Sequence, residues 1–202
     1  MSDTAKIESI VRAAGELLDT SGYDSLGTTE IARQAGVSTA TLYRHFEDKH
    51  QILQHLAQDL HDELSAAART AFRRLERDAD WREPIVALVH QTYALRMEQP
   101  GGRTARRTLH ACAALREWDR SQERALARNL GHALRKRCPD MAADCAQQMA
   151  ITTLTAVMAL LDLACQEPRR ARKVLDEAVT LAQRYLAPHL DRRPGATTRR
   201  AA

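Results

Sequence analysis

The chain has 202 residues, 44% of them hydrophobic and 4% aromatic, with a formal charge of +4 and a pI near 9.1. That length allows one large domain or a small one joined to a larger one, and the abundance of alanine, leucine and arginine favours helix over sheet. The four cysteines (Cys112, Cys138, Cys145 and Cys165) form no CxxC pair, so zinc-site spacing is absent and a reduced, intracellular chain is expected.

Residues 4–21 place Ile7, Ile10, Val11, Ala14, Leu17 and Leu18 at helical spacing, and Gly22 follows as a stop. Lys6, Glu8 and Arg12 interleave the first apolar residues, so no signal peptide is expected. Thr28 is a suitable N-cap for a short helix ending near Ala35. Gly36 can supply a left-handed turn, Val37 points inward, and Ser38 caps a second short helix over 39–45. Asp48 caps a third, with Gln51 completing a capping box. Its apolar stripe runs through Ile52, Leu53, Leu56, Leu60, Leu64, Ala67, Ala71, Phe72 and Leu75 to about residue 77.

DADWREP interrupts the pattern. Helical spacing resumes over about 83–98, and QPGG at 99–102 breaks it again. Further helices are predicted at roughly 103–117, 120–137, 140–166 and 168–187, with Pro168 suited to a helix start. The most apolar run, 149–165, contains three threonines and Asp162, too short and too polar for a membrane span. The tail from Asp191 has no apolar pattern and is expected to be disordered. The reading is all-α, about nine helices, in a soluble cytoplasmic protein.

Helix, glycine-containing turn, helix is the helix-turn-helix arrangement, whose second helix enters the DNA major groove. Ile31, Ala32, Ala35, Val37, Leu42 and Phe46 can pack the pair against residues 7–18. Thr39, Ala40, Thr41, Tyr43, Arg44 and His45 are left on the outer face. Thr and Ala methyls can contact thymine, Arg44 can donate twice to guanine, and Tyr43 and His45 can donate to phosphate. Lys49, and the hydroxyl or amide of Thr28, can hold phosphates in the same way. Net charge does not carry this argument: residues 1–49 hold five bases and eight acids.

The stretch TTEIARQAGVSTATLYRHFEDKHQIL resembles the TetR family of bacterial transcriptional regulators. The likeness rests on IAxxAGVS, on TLYRHF and on the lysine three residues after that phenylalanine, and it covers about residues 7–56. It implies a homodimer with a DNA-binding domain over 1–47 and an effector-binding and dimerisation domain over 48–190. Residues 191–202 form a basic tail. Carried over by position, Thr28, Thr39, Ala40, Thr41, Tyr43, Arg44, His45 and Lys49 are the DNA-facing residues.

The C-terminal part carries no motif that names a ligand. Its candidate pocket residues are His90, Tyr93, Arg96, Arg107, Cys112, Trp118, Thr152 and Met158, expected to hold an apolar effector with, as one option, an acidic group met by Arg96 or Arg107. Residues 103–137 contain ten bases and three acids, read as a solvated face or as an attractor of an anionic effector. Asp162 has three settings open to it: an arginine across a dimer, the cavity wall, or a wet face. Val174, Leu175, Ala178, Val179, Ala182 and Leu186 lie on two adjacent apolar stripes of the last helix, one for the protomer's core and one for a dimer partner. His50, His55 and His61 lack metal spacing, and no HExxH, phosphate loop or recognisable nucleophile occurs, so no metal, cofactor or catalysis is expected. A thiol sensor at Cys112 or Cys165 has no supporting pattern. The leading reading is an effector-released repressor on a palindromic operator. The alternatives are a ligand-independent or activating relative, or an enzyme or carrier with an incidental helix-turn-helix.

Overall fold

The computed structural model describes residues 2–111 and 113–191, and Cys112 and the tail 192–202 lie outside them. Among the described residues there are nine helices and no strand. Helix α1 (Asp3–Ser21) starts where the Ser2 hydroxyl accepts the Ala5 amide and stops at Gly22, whose φ is 75°. Ile10, Val11, Ala14 and Leu18 form its buried face. Helix α2 (Thr28–Ala35) closes on Gly36 at φ 69°, ψ 30°, a left-handed position that costs glycine nothing. Val37 donates back to the Ala32 carbonyl at 3.0 Å, the backbone pattern that such a glycine permits. Thr28 is not the cap of α2. Gly27 holds that position, and Thr28 is the first helical residue.

Helix α3 (Thr39–His45) is capped by Ser38, whose hydroxyl accepts the Thr41 amide at 3.1 Å. Helix α4 (Lys49–Arg77) is capped by Asp48 accepting from the Gln51 amide at 2.9 Å. The reciprocal bond of the box reaches one residue further back: Gln51 accepts the amide of Glu47, not of Asp48, at 2.8 Å. Ile10, Leu18, Ile31, Leu42, Phe46, Ile52 and Leu53 form one core, to which Leu109 and Leu115 also belong. The first turns of α4 are therefore part of the core that holds α2 and α3.

Helix α5 (Arg82–Glu98) follows a turn in which Trp81 is buried. Helices α6 (Ala105–Ala111) and α7 (Ala113–Arg137) come next, and α7 runs through Trp118 and Asp119, where sequence spacing predicts a break. Leu115 on one side of that point and Ala127 and Leu130 on the other are buried against different clusters, so both halves of α7 gain from staying helical. Helix α8 (Ala143–Gln166) starts three residues later than expected. Helix α9 (Ala171–Leu190) likewise begins after Pro168, which stands in the preceding turn.

Helix α9 also continues across Pro188, because Leu190 is buried beside Leu186 in the core. Asp191, expected in the tail, is fixed: it accepts the Trp81 indole at 2.8 Å and pairs with Arg82 at 2.5 Å. That guanidinium, and then the indole, hold its carboxyl below the usual aspartate range. Val174, Leu175, Ala178, Ala182 and Leu186 are buried in the protomer's own core, and Val179 packs at its edge. Leu181 and Tyr185 on α9, and Ile151 on α8, stay exposed at about 40%. By length and composition α8 could cross a membrane, yet it packs between α7 and α9 with 39% of its apolar window buried.

Candidate nucleic-acid interface and effector cavity

The short helix α3 divides cleanly. Leu42 is fully buried, which anchors one face against α1 and α2. Thr39, Ala40, Tyr43 and Arg44 are exposed, with Tyr43 at 54%. Thr41 is half-buried and shares a 2.9 Å hydrogen bond with the Ser38 hydroxyl. The Tyr43 hydroxyl lies 2.9 Å from the Thr28 hydroxyl, so two candidate phosphate donors form one polar spot at the end of α2.

Three candidates are less free than their positions suggest. The His45 side chain is 11% exposed and its Nε2 lies 3.4 Å from the Arg44 guanidinium. Lys49 donates to the Leu26 carbonyl at 3.4 Å and sits 4.4 Å from the Tyr23 ring centre. Arg44 pairs with Asp3 at 3.3 Å, and Asp3 also bonds Lys6 at 3.1 Å. The Lys6 hydrogen bond first, then the charges of Lys6, Arg44 and His45, lower the Asp3 carboxyl. Sequence reasoning missed Asp3, because it is 41 residues from Arg44 and no local pattern pairs them.

The C-terminal helices enclose hollows around Leu126 and Met158. A cavity of about 70 Å³ is walled by Phe72, Leu88, Leu130, Val157 and Leu186, with Thr92 and Thr153 as its polar atoms. Thr153 is 6% exposed and its hydroxyl has no hydrogen-bond partner. A second hollow of about 110 Å³ is lined by His61, Ser65, Arg96, Trp118 and Asp119. There the His61 Nε2 lies 2.9 Å from the Ser65 hydroxyl, and burial lowers the pKa of His61, favouring the neutral ring. Asp119, which could orient that ring, has an oxygen 3.2 Å from His110 instead. A third hollow, about 200 Å³, opens between Arg120, Arg124, Ile151 and Thr155.

Of the pocket residues expected from sequence, the structure brings Arg96, Trp118 and Met158 to these hollows. His90 and Arg107 are exposed, Tyr93 packs against the core around α9, and Thr152 is bonded by Gln148 on the α8 surface. Thr92 and Thr153 were not expected there, and His61 was weighed only as a metal ligand. Thr92 and Thr153 read as ordinary helical threonines until neighbouring helices enclose them. Asp162 meets Arg96 of its own chain at 2.6 Å, with the Arg96 side chain only 6% exposed. Burial raises the Cys165 thiol pKa, which disfavours the thiolate a redox sensor would use.

The cavity and helix α3 are joined by two routes. Helix α4 lines both hollows between Ala57 and Leu75 and, at its other end, packs into the core under α3. Beyond the end of α5, the turn 99–104 docks on α1: Asp19 accepts the Gly101 amide at 2.8 Å and the Thr104 hydroxyl at 3.1 Å. The approach is so close that a Cβ on Gly15 would lie 2.5 Å from the Pro100 carbonyl oxygen.

Residues 10–56 match the family model for bacterial regulatory proteins of the tetR family, and residues 80–186 match the tetracyclin repressor-like C-terminal domain. The chain is 31% identical over 99 residues to the nucleoid occlusion factor SlmA of Vibrio campbellii, 48% of this chain and 49% of that protein. It is 40% identical over 53 residues to the class D tetracycline repressor protein of Escherichia coli, 26% of this chain and 24% of that one. The match thus spans about half, or less, of the length of these curated relatives. Among solved structures, a TetR-family transcriptional regulator from Streptomyces coelicolor superposes with a TM-score of 0.62 at 24% identity, covering 92% of this chain and 99% of that one. SmeT, the repressor of a Stenotrophomonas maltophilia multidrug efflux pump, gives 0.70 at 16% identity, covering 96% and 94%. At such identities these likenesses establish the fold.

Proposed function

The chain belongs to the TetR family of bacterial regulatory proteins, and from that premise we propose that it is a DNA-binding transcriptional regulator, a homodimer released from a palindromic operator by a small molecule. The observation that carries this reading is the division of α3, with Leu42 locked in the core and Thr39, Ala40, Tyr43 and Arg44 exposed. In this reading α3 lies in the major groove, Arg44 reads a base edge, and Tyr43 with Thr28 holds a phosphate. Two half-sites about 34–36 Å apart match two such helices.

The dimer supplies that second helix. Helix α8 is more apolar than its burial in the protomer requires, and Ile151, Leu181 and Tyr185 are exposed on α8 and α9. Packing this face against its symmetry mate gives an isologous four-helix interface. SmeT is described as a repressor and has a triclosan complex; the hollows between α4, α5, α7 and α8 offer an effector a comparable place here. Motion of α4 or of the turn 99–104 would then change the spacing of the two α3 helices.

The test is selection of bound fragments from random DNA, followed by binding to the selected site at several salt concentrations. A palindromic consensus with strongly salt-dependent affinity is expected. Failure to enrich any sequence would end the proposal. A turnover assay addresses the enzyme alternative, for which Ser65 and His61 are the nearest chemistry.

A further inference from the structure

Three helical threonines elsewhere in this chain satisfy their hydroxyls on the carbonyl four residues back. Thr20 bonds Glu16 at 3.0 Å, and Thr70 and Thr108 bond Ala66 and Thr104 at 3.1 Å. Thr153 does not. Its hydroxyl is buried in the wall of the 70 Å³ cavity and unpartnered. An orphaned hydroxyl in an apolar enclosure is a standing cost that a ligand's polar group removes.

We propose that this cavity binds a neutral, ring-sized apolar molecule carrying one hydroxyl or carbonyl, and that Thr153 is the residue that recognises that group. No charged side chain stands in the wall, so an ion there would be stripped of water without compensation. The guanidinium of the neighbouring hollow, Arg96, is already engaged by Asp162 at 2.6 Å. An acid would have to compete with a carboxylate held in place by the fold.

The size follows from the geometry. About 70 Å³ is well below the roughly 150 Å³ of an apolar cavity known to take benzene. The ligand therefore also enters the adjoining hollow of about 110 Å³, which shares Leu64, Leu126 and Met158 with the first. Met158 is the flexible part of that partition, since an unbranched thioether changes rotamer at low cost. The effector role of such a ligand rests on the regulator reading above, while its binding to the cavity does not.

Titration calorimetry on the full chain, without DNA, tests this with 4-ethylphenol, ethylbenzene and 4-ethylbenzoate. The wild type should bind 4-ethylphenol roughly three- to tenfold more tightly than ethylbenzene, the worth of one hydrogen bond, and 4-ethylbenzoate far more weakly than either. Thr153→Val, nearly isosteric, should erase the phenol preference and leave ethylbenzene binding unchanged; Thr153→Ser should keep the preference. Free Thr153→Val should melt no lower than the wild type, because it loses an unpaired hydroxyl. Equal binding of phenol and hydrocarbon, benzoate binding as tight as phenol, an unchanged phenol preference in Thr153→Val, or no binding of any probe would each overturn the assignment. Binding to the selected DNA site is measured on the same preparations without probes. Intact DNA binding beside failed probe binding sinks the ligand assignment and spares the regulator reading.

Discussion

Removing Asp162 should expose how much the Arg96 ion pair constrains the C-terminal bundle. The Arg96 side chain is 6% exposed and that of Asp162 24%, at 2.6 Å. Truncating one partner of a fully buried pair costs about 3–5 kcal/mol, because the remaining charge is left without compensation. Asp162 retains some contact with water, which lowers the figure for Asp162→Leu to about 2–4 kcal/mol. With a urea m-value of about 2 kcal/mol/M, the midpoint should fall by about 1–2 M. Arg96→Met should cost less, since the carboxylate left behind can reach solvent. The double variant Arg96→Met/Asp162→Leu should recover most of the loss, as an apolar pair of similar volume leaves no stranded charge. The assay is urea denaturation followed by circular dichroism at one fixed protomer concentration, because the proposed dimerisation would couple to stability. A midpoint shift under about 0.5 M for Asp162→Leu, or a double variant as unstable as the sum of the singles, would refute the reasoning.

Gly15→Ala sets a local gain against a tertiary clash. Alanine in a helix interior is favoured over glycine by about 1 kcal/mol, yet a Cβ here would meet the Pro100 carbonyl oxygen at 2.5 Å, a clash of the kind that costs about 1–3 kcal/mol. Thermal unfolding should report a net loss, and a higher Tm would show that the turn 99–104 yields easily. Tyr185→Glu should give folded monomers with weakened operator binding by sedimentation and gel shift. Val179→Glu, at the edge of the protomer's own core, should unfold the bundle instead; a wild type that sediments as a monomer at micromolar concentration removes the dimer. Arg44→Ala should relax one base preference per half-site, about 1–3 kcal/mol for a bidentate contact, while Lys49→Ala should weaken all sequences alike and flatten the salt dependence. An unchanged consensus with Arg44→Ala would make Arg44 a phosphate contact. Asp3→Asn should tighten binding modestly at low salt by freeing Arg44; looser binding would mean that Asp3 positions the guanidinium rather than masking it.

The sequence by itself determined what is periodic and local. Apolar spacing set the helices, Ser38 and Asp48 marked two starts, and Gly36 marked the turn, because caps and left-handed residues act within a few positions of themselves. Part of the outward set on α3 was legible for the same reason: with Leu42 inside, Thr39, Ala40, Tyr43 and Arg44 lie outside, whereas Thr41 and the 11% exposed His45, also expected there, are partly covered. Tertiary structure decided the rest. It carried α7 through Trp118 and Asp119, and carried α9 across Pro188 to bury Leu190, where packing outweighs a local breaking signal. It gave Asp162 a partner 66 residues away and tied Asp3 to Arg44. It also buried residues of both α9 stripes in the protomer's core, Val174 and Ala178 of one and Leu175, Ala182 and Leu186 of the other, where one stripe was expected to face a dimer partner, and it left Leu181 and Tyr185 outside. Two apolar stripes on one helix look alike in sequence, and only the position of the neighbouring helices selects which is covered. Thr153 reads as an ordinary helical threonine in the chain, and becomes a candidate recognition group only when four other helices close around it and leave its hydroxyl unpaired.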